Sequence, residues 1–271
     1  MVRNFCLATA LLFLMASAGL ADIVPISLSQ DVNGSGGVLV CRYYPAFTCD
    51  SGGFDFDASN SQPGPYSVNK TGEAEASGTF PDDSVAETVQ VQQSSDETTN
   101  SIFVKMSTID QYLHQGASYL IGLDSELGND YSFEFNLTSA SILHLVGSVS
   151  HSNDGFGGEA GGSFGHTGFR LAGPGIELGS PCPLCDAYYP TSFDYTLALN
   201  PGVFTLTAFA DEKDGESNLF FGDSGAADGE LSLNALFTPV VPEPRWVVFP
   251  ALLLAIGIGG AALRKRKPAD L

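Results

Sequence analysis

Several segments of this chain alternate apolar and polar residues with a period of two. Residues Tyr131–Leu137, Phe193–Leu199 and Leu231–Phe237 all follow this pattern. Successive side chains of a β-strand point to opposite faces, so each segment predicts a strand with one apolar face. An apolar sheet face needs a second layer to cover it. The sequence therefore predicts an all-β domain, either a β-sandwich or a jelly roll.

Turns and short apolar runs extend this prediction along the chain. Gly and Pro account for 31 and 15 of the 271 residues, which is typical of a turn-rich β protein. The segment Val203–Phe209 also alternates, and the turn at 200–202 predicts that it forms a β-hairpin with Phe193–Leu199. One short helix is predicted near Thr108–Gln115. Further strands are predicted at Ile23–Leu28, Val38–Cys41, Glu73–Thr79, Val85–Gln92, Ile102–Met106, Tyr119–Leu123, Ile142–Val149 and Gly168–Leu171.

Residues 1–21 have the layout of a secretory signal peptide. Arg3 gives a short positive start, Phe5–Met15 is an apolar run, and small residues follow. The apolar run is too short to span a bilayer comfortably, which argues against an uncleaved anchor. Cleavage is expected after Ala18 or Ala21, and the exported domain is expected to cover residues 22–238.

The C-terminal region predicts one transmembrane helix. Trp246–Leu263 contains 18 residues without a charge. As a helix this segment is about 27 Å long, enough to span a hydrocarbon core. Four cations follow directly, at Arg264, Lys265, Arg266 and Lys267. Clustered cations stay on the cytoplasmic side, so the large domain is expected outside the membrane, in agreement with the signal peptide.

The order of three features in residues 239–267 resembles the PEP-CTERM sorting signal of Gram-negative bacteria. These features are Pro242-Glu243-Pro244, a Gly/Ala-rich apolar span and a basic cluster near the terminus. The same region is sometimes labelled an ice-binding-protein C-terminal domain. The resemblance implies that an exosortase, a membrane protease-transpeptidase, recognises Pro-Glu-Pro and removes the tail. The alternative is a permanent single-span anchor with Pro-Glu-Pro as a stiff linker.

The charge of the expected exported part is strongly negative. Residues 22–241 contain 29 acidic residues, while the basic residues are Arg42, Lys70, Lys105, Arg170 and Lys213, so the formal charge is −24. Nucleic-acid binding relies on Lys and Arg displacing counterions. Nucleic acid is therefore excluded as a partner, whereas solubility and cation binding are favoured.

Four cysteines remain when the signal peptide is removed, at positions 41, 49, 182 and 185. An even number of cysteines in an oxidising compartment predicts two disulfides. Sequence-local pairing, Cys41 with Cys49 and Cys182 with Cys185, is the first choice, and cross-pairing of the two regions is the alternative. A redox or zinc role for Cys182 and Cys185 is less favoured, since prolines and glycines surround them and no second ligand pair has suitable spacing.

Two acidic segments, Asp211–Glu216 and Asp223–Glu230, are expected to be loops flanking a short strand. Ca²⁺ takes carboxylate and carbonyl oxygens, so these segments predict a calcium site. The candidate ligands are Asp211, Asp214, Glu216 and Asp223. The alternative is a set of solvated acidic turns in a very acidic protein.

Aromatic and histidine residues give weaker functional signals. The pairs Tyr43-Tyr44 and Tyr188-Tyr189 are candidate sugar-binding residues, although packing in the core or in turns is the alternative. Trp246 is the only tryptophan and belongs to the predicted membrane boundary. His144 lies in an apolar strand and is expected to be packed. No G-x-S-x-G motif indicates a nucleophile, so no catalytic residue is proposed.

The expected function is that of an exported cell-surface or extracellular protein. The C-terminal helix would first anchor it in the inner membrane. The PEP-CTERM resemblance implies a structural or adhesive role in exopolysaccharide or biofilm. A carbohydrate-binding module and a secreted polysaccharide-active enzyme are the alternatives.

Overall fold

The computed structural model describes residues 22–42, 47–77, 84–115, 120–154, 164–180, 191–217 and 224–240. Twelve β-strands and no α-helix occur among these residues, and all of them belong to one compact unit, Leu20–Pro239. The strands are β1 (Ile23–Arg42), β2 (Thr48–Asn60), β3 (Tyr66–Ser77), β4 (Ser84–Glu97), β5 (Ser101–Gln115), β6 (Leu120–Leu137), β7 (Ser141–Asp154), β8 (Phe164–Gly173), β9 (Ile176–Gly179), β10 (Thr191–Leu199), β11 (Gly202–Ser217) and β12 (Ser224–Pro239).

The strands form two six-stranded sheets with antiparallel pairing throughout. Sheet A has the strand order β2-β1-β6-β11-β8-β9, and sheet B has the order β10-β7-β12-β5-β4-β3. The all-β prediction is confirmed. Because many neighbours within a sheet are distant in sequence, the chain crosses between the sheets repeatedly.

The apolar faces of the two sheets bury each other. Phe135 of β6 in sheet A and Phe237 of β12 in sheet B meet edge to face with ring centroids 5.5 Å apart. Phe169 of β8 and Phe193 of β10 make a second contact across the layers, at 4.6 Å. Aromatic pairs at such separations stabilise a core beyond the area that they bury. The alternation in the sequence therefore gives each strand one apolar face, and these faces together form the shared core.

The two ends of the layered structure differ. At one end, here called the proximal end, the strands are joined by short turns at 61–65, 98–100, 138–140, 174–175 and 200–201. The first and last strands also begin and end there, since Ile23 pairs with Leu137 and Pro239 pairs with Ser141. At the opposite, distal end the strands are joined by connections that are longer on average, namely 43–47, 78–83, 116–119, 155–163, 180–190 and 218–223.

The predicted hairpin of Phe193–Leu199 with Val203–Phe209 is wrong. Strand β10 pairs with β7 in sheet B, whereas β11 pairs with β6 and β8 in sheet A. The turn at 200–201 carries the chain from one layer to the other. Leu199 and Phe204 on its two sides are both buried in the shared core. Alternation alone does not show whether two successive strands are neighbours in one sheet or face each other across the core.

The predicted short helix near Thr108–Gln115 is also wrong, because this segment is the second half of β5. Thr108, Asp110, Tyr112 and His114 are all buried at a period of two. The polar members of this set hide the strand pattern, since an inward face is normally recognised by apolar residues.

Several strands are longer than predicted or were missed. The predictions at Ile23–Leu28 and Val38–Cys41 belong to one 20-residue strand, β1, and strands β2 and β9 were not predicted. The acidic segments Asp211–Glu216 and Asp223–Glu230, expected to be loops, lie mostly in β11 and β12. Gly175 has a positive φ of 74° in the tight turn between β8 and β9, a conformation that glycine adopts at little steric cost.

No helix in the described part of the chain is long and apolar enough to cross a membrane. The predicted signal peptide, residues 1–21, and the predicted transmembrane helix, residues 246–263, lie outside the described residues. Both therefore stay predictions from the sequence.

We predict that Phe135→Ala destabilises the domain by about 3–5 kcal/mol, since it removes a fully buried ring that touches both layers. Val203→Ala is the control, because this side chain is 45% exposed on the outer face of β11. Its effect should stay within about 0.5 kcal/mol. Urea unfolding of both variants measures the difference, and equal midpoints would contradict the described core.

Candidate functional site

The predicted disulfide between Cys41 and Cys49 is confirmed. These residues are directly opposite each other in β1 and β2, next to the distal connection 43–47. The bond rules out cross-pairing of either residue with Cys182 or Cys185. Several predicted site residues lie outside the described residues, namely Cys182, Cys185, Tyr43, Tyr44, Tyr188, Tyr189, Pro242, Glu243, Pro244, Arg264, Lys265, Arg266 and Lys267.

The predicted calcium ligands are only partly described. Asp211 lies on the outer face of sheet A. Asp214 and Glu216 are in β11 with side chains outside the described set, and Asp223 lies outside the described residues. Among the residues that the structure describes, no group of three or more histidine, cysteine, aspartate or glutamate side chains is arranged to hold a metal ion. The calcium site stays a prediction.

Asp211 has an unusual electrostatic environment for an outer-face acid. Burial, which is the largest cause, and the nearby Asp130 and Glu212 carboxylates together raise the pKa of Asp211 to about 6, while a hydrogen bond from the Asn129 backbone opposes the shift. That N–H donates to Asp211 Oδ1 at 3.1 Å. Asp130 is directly opposite Asp31 in the β1–β6 register. Burial is the larger cause that raises the pKa of Asp130, and the negative charge of Asp31 is the second. The acids on this face therefore repel one another at neutral pH.

Polar side chains point into the interior beneath the distal end. Eight of them are at most 9% exposed, and they come from both sheets. They are Glu87, Thr108, Asp110, His114, Ser125, His151, Thr167 and Glu212. Burying ionisable groups is costly unless they are paired and hydrogen-bonded. The largest apolar cluster lies in the proximal half and the middle, and a smaller apolar cluster around Val38, Tyr112 and Leu123 lies beside these polar residues at the distal end.

A buried histidine–glutamate pair links the two layers. His151 of β7 lies with Nδ1 2.9 Å from Glu212 Oε1 of β11. A Cβ atom at Gly165 would overlap the His151 ring and lie 2.5 Å from both carboxylate oxygens, so glycine is required for this approach. Ser125 of β6 donates a second cross-layer hydrogen bond, to Asp110 of β5.

Two threonine hydroxyls surround the same buried carboxylate. A Cβ atom at Gly229 would lie 2.5 Å from Thr167 Oγ1, 3.0 Å from Thr108 Oγ1 and 3.5 Å from Glu212 Oε1. Neither hydroxyl has a hydrogen-bond partner within the described part of the chain. Burying these hydroxyl groups without hydrogen-bond partners is unfavourable for folding.

The outer face of sheet B carries two adjoining depressions. They have volumes of about 260 and 340 Å³, and both are lined by Gln92, Lys105 and Ser107. Together we call them the sheet B groove. It runs across the strands from Asn69 of β3 to Glu230 of β12, since Asn69, Gln92, Ser107 and Glu230 are successive cross-strand partners.

Asn129 holds the groove from beneath. Its side chain in sheet A donates to the carbonyl oxygens of Gln92 at 2.8 Å and Ser107 at 3.3 Å, the facing pair at the centre of the groove. Gln93 makes the reverse connection by donating to the Asp130 carbonyl oxygen at 3.0 Å. These interior amides fix the separation of the layers directly below the groove.

Sequence reasoning missed the interior cluster and the groove. His144, predicted to be packed, is exposed and lies with Nε2 2.9 Å from Asp194 Oδ1 on the outer face of sheet B. The available signal for the groove was the run of Ser, Thr, Asn and Gln at alternate positions of β3 and β4.

No protein-family model matches this sequence, and no curated protein is significantly similar to it. The functional argument therefore rests on the residues themselves.

We predict that Asp211→Asn stabilises the domain at pH 8 and has no effect near pH 4. Because the folded-state pKa is raised, the folded protein binds this proton more tightly than the unfolded chain does. The free-energy cost of holding an ionised Asp211 in the folded protein is thus fully present above about pH 6. This cost disappears as the pH falls toward the pKa of the unfolded chain. Asparagine keeps the oxygen that accepts the Asn129 hydrogen bond. Thermal unfolding across this pH range measures the effect, with exposed Asp55→Asn as control, and a stabilisation independent of pH would contradict it.

We predict that His151 and Glu212 are strongly coupled in stability. Glu212→Leu alone should cost about 3 kcal/mol or more, because it leaves a buried polar partner behind. The double variant with His151→Leu should cost less than the sum of the single variants. A double-mutant cycle by urea unfolding gives the coupling free energy, and additive costs would mean that the pair does not interact.

Proposed function

We propose that this chain is an exported surface protein with a jelly-roll-like β-sandwich domain. In this account residues 1–21 direct export, and an exosortase-type protease processes the tail at Pro242-Glu243-Pro244. The domain is then displayed on the cell surface or released into the extracellular matrix, where it has a structural or adhesive role with exopolysaccharide. This proposal rests on the sequence of both ends and on one feature of the fold.

The feature that supports the proposal is the position of the two chain ends of the domain. Ile23 and Pro239 lie on either side of the short turn 138–140 at the proximal end, so the domain is attached to the rest of the chain from one end only. Such an arrangement suits a domain that is carried on a tether and makes contacts away from it.

The disulfide fits the same proposal. Cys41–Cys49 closes strands β1 and β2 next to the distal end. Disulfides persist in oxidising compartments and are rare in the cytosol. The strongly acidic composition keeps such a domain soluble and makes anionic polymers poor partners.

We predict that replacing Pro242, Glu243 and Pro244 together by alanine blocks processing but leaves membrane insertion intact. The apolar span and the basic residues 264–267, which determine insertion and orientation, are unchanged in this variant. The variant should remain in the membrane fraction at full mass, whereas the wild type loses about 30 residues in a host with a matching exosortase.

The control for this experiment is the double substitution Pro268→Ala with Asp270→Ala, beyond the basic cluster. It should be processed like the wild type. If the wild type also keeps its tail in the competent host, the sorting proposal is wrong and the tail is a permanent anchor.

A further inference from the structure

We propose that the sheet B groove binds an uncharged polysaccharide chain. The inference rests on the proposed function, because a protein in the extracellular matrix is in contact with polysaccharide. It goes further by assigning the binding surface to described residues other than the tyrosine pairs predicted from the sequence.

The groove presents the groups that pair with sugar hydroxyls. Its outward polar side chains include Asn69, Gln92, Lys105, Ser107, Asp228 and Glu230. Amides and hydroxyls both donate and accept hydrogen bonds, as sugar hydroxyls do, and carboxylates accept from neighbouring hydroxyl pairs. The row from Asn69 to Glu230 crosses four strands about 4.8 Å apart, giving a path of about 14 Å. This length accommodates a short run of sugar units.

The charges in the groove favour an uncharged ligand. Lys105 is the single cationic side chain in its lining, and its Nζ lies 3.6 Å from Glu230 Oε1. Both side chains are about half exposed, and an exposed ion pair is worth little, so both can turn toward a ligand. Asp228 adds a second carboxylate. An acidic polysaccharide would meet two carboxylates and one cation and would be repelled.

The lining also argues against a protein or an apolar small molecule. Protein interfaces have an apolar, often aromatic, centre, and drug-like pockets are lined mainly by apolar side chains. Ile109 is the one aliphatic residue that the groove turns outward. Polar contacts supply most of the available binding energy here, as expected for a hydroxyl-rich chain.

An exposed aromatic ring lies beside the groove. Phe103 is 37% exposed on the outer face of β5, two residues before Lys105. Residues two apart on a strand share a face, so this ring flanks the polar row. An aromatic face offers a flat apolar surface to the C–H side of a sugar ring. The groove thus combines polar partners with one stacking surface.

The groove is also held in a fixed shape. Asn129 binds the carbonyl oxygens of Gln92 and Ser107 from the interior, while its own Oδ1 is fully buried without a hydrogen-bond partner among the described residues. An apolar residue would avoid that cost. A rigid backbone under the binding side chains reduces the ordering cost of binding.

The test compares two double variants of the full chain, purified in detergent micelles. Gln92→Ala with Ser107→Ala removes polar groups at the centre of the groove. Gln115→Ala with Ser148→Ala is the matched control, because both side chains are on strands of the same sheet but outside the groove lining. Affinity electrophoresis in gels containing mannan, dextran or xyloglucan measures polysaccharide binding, with alginate as the acidic polymer. Melting temperatures verify that both variants are folded.

We expect the wild type and the control to be retarded by at least one neutral polysaccharide and not by alginate. The groove variant should bind that polysaccharide about tenfold more weakly, because each lost hydrogen bond is worth on the order of 1 kcal/mol. Absence of binding to every neutral polymer, retardation by alginate alone, or equal losses in both variants would overturn the inference.

Fractionation of the same variants separates this inference from the proposed function. The groove variant should still be exported and processed, because its substitutions are far in sequence from both ends. Normal processing together with absent polysaccharide binding would refute the groove alone. Binding by a protein that is never exported would refute the proposed function alone.

Discussion

The structure depends on the burial of two one-sided sheets against each other. Each strand of the proximal half presents apolar residues to the interior, and rings such as Phe135 and Phe237 meet across the layers. Burying apolar surface is the dominant favourable contribution to folding. Because the core needs only one face of each strand, the opposite faces are free to carry polar residues. The sheet B groove occupies one of these free faces.

The distal interior combines apolar packing with polar contacts between the layers. Val38 and Leu123 of sheet A pack in one cluster with Tyr112 of sheet B. The polar contacts include His151 with Glu212 and Ser125 with Asp110. Such contacts require a defined geometry, whereas apolar packing tolerates some sliding of the layers. Asn129 applies the same principle beneath the groove, where it ties sheet A to the central strands of sheet B. These polar contacts hold the two layers together beneath the groove, while the registers within sheet B place the groove residues side by side.

The sequence predicted the general class of the fold and part of its detail. The period-two pattern of Tyr131–Leu137 and Leu231–Phe237 predicted strands correctly, and sequence proximity predicted the Cys41–Cys49 bond. Strand neighbours could not be predicted, since β10 and β11 have the pattern of a hairpin but belong to different sheets. Pairing between distant strands is decided by the shared core and leaves no local signal.

The candidate sites were harder to predict for a related reason. The buried face of β5 contains polar residues such as Asp110 and His114. Because a buried strand face is normally recognised by apolar residues, this segment was wrongly predicted to be a helix. The groove arises from side chains on four strands that become neighbours only through sheet registers. Short sequence motifs detect sites built on consecutive residues, such as the Pro242-Glu243-Pro244 segment. They do not detect a surface assembled across a sheet.

The central claim is that this two-layer domain presents a polysaccharide-binding surface on the outer face of sheet B. Hydrogen–deuterium exchange of the full chain, with and without a neutral polysaccharide that it binds, tests this most directly. The account predicts slower exchange around Gln92 in β4, Ser107 in β5 and Glu230 in β12, with no change on the outer face of sheet A. Protection confined to sheet A or to the strand ends next to the distal connections would contradict it.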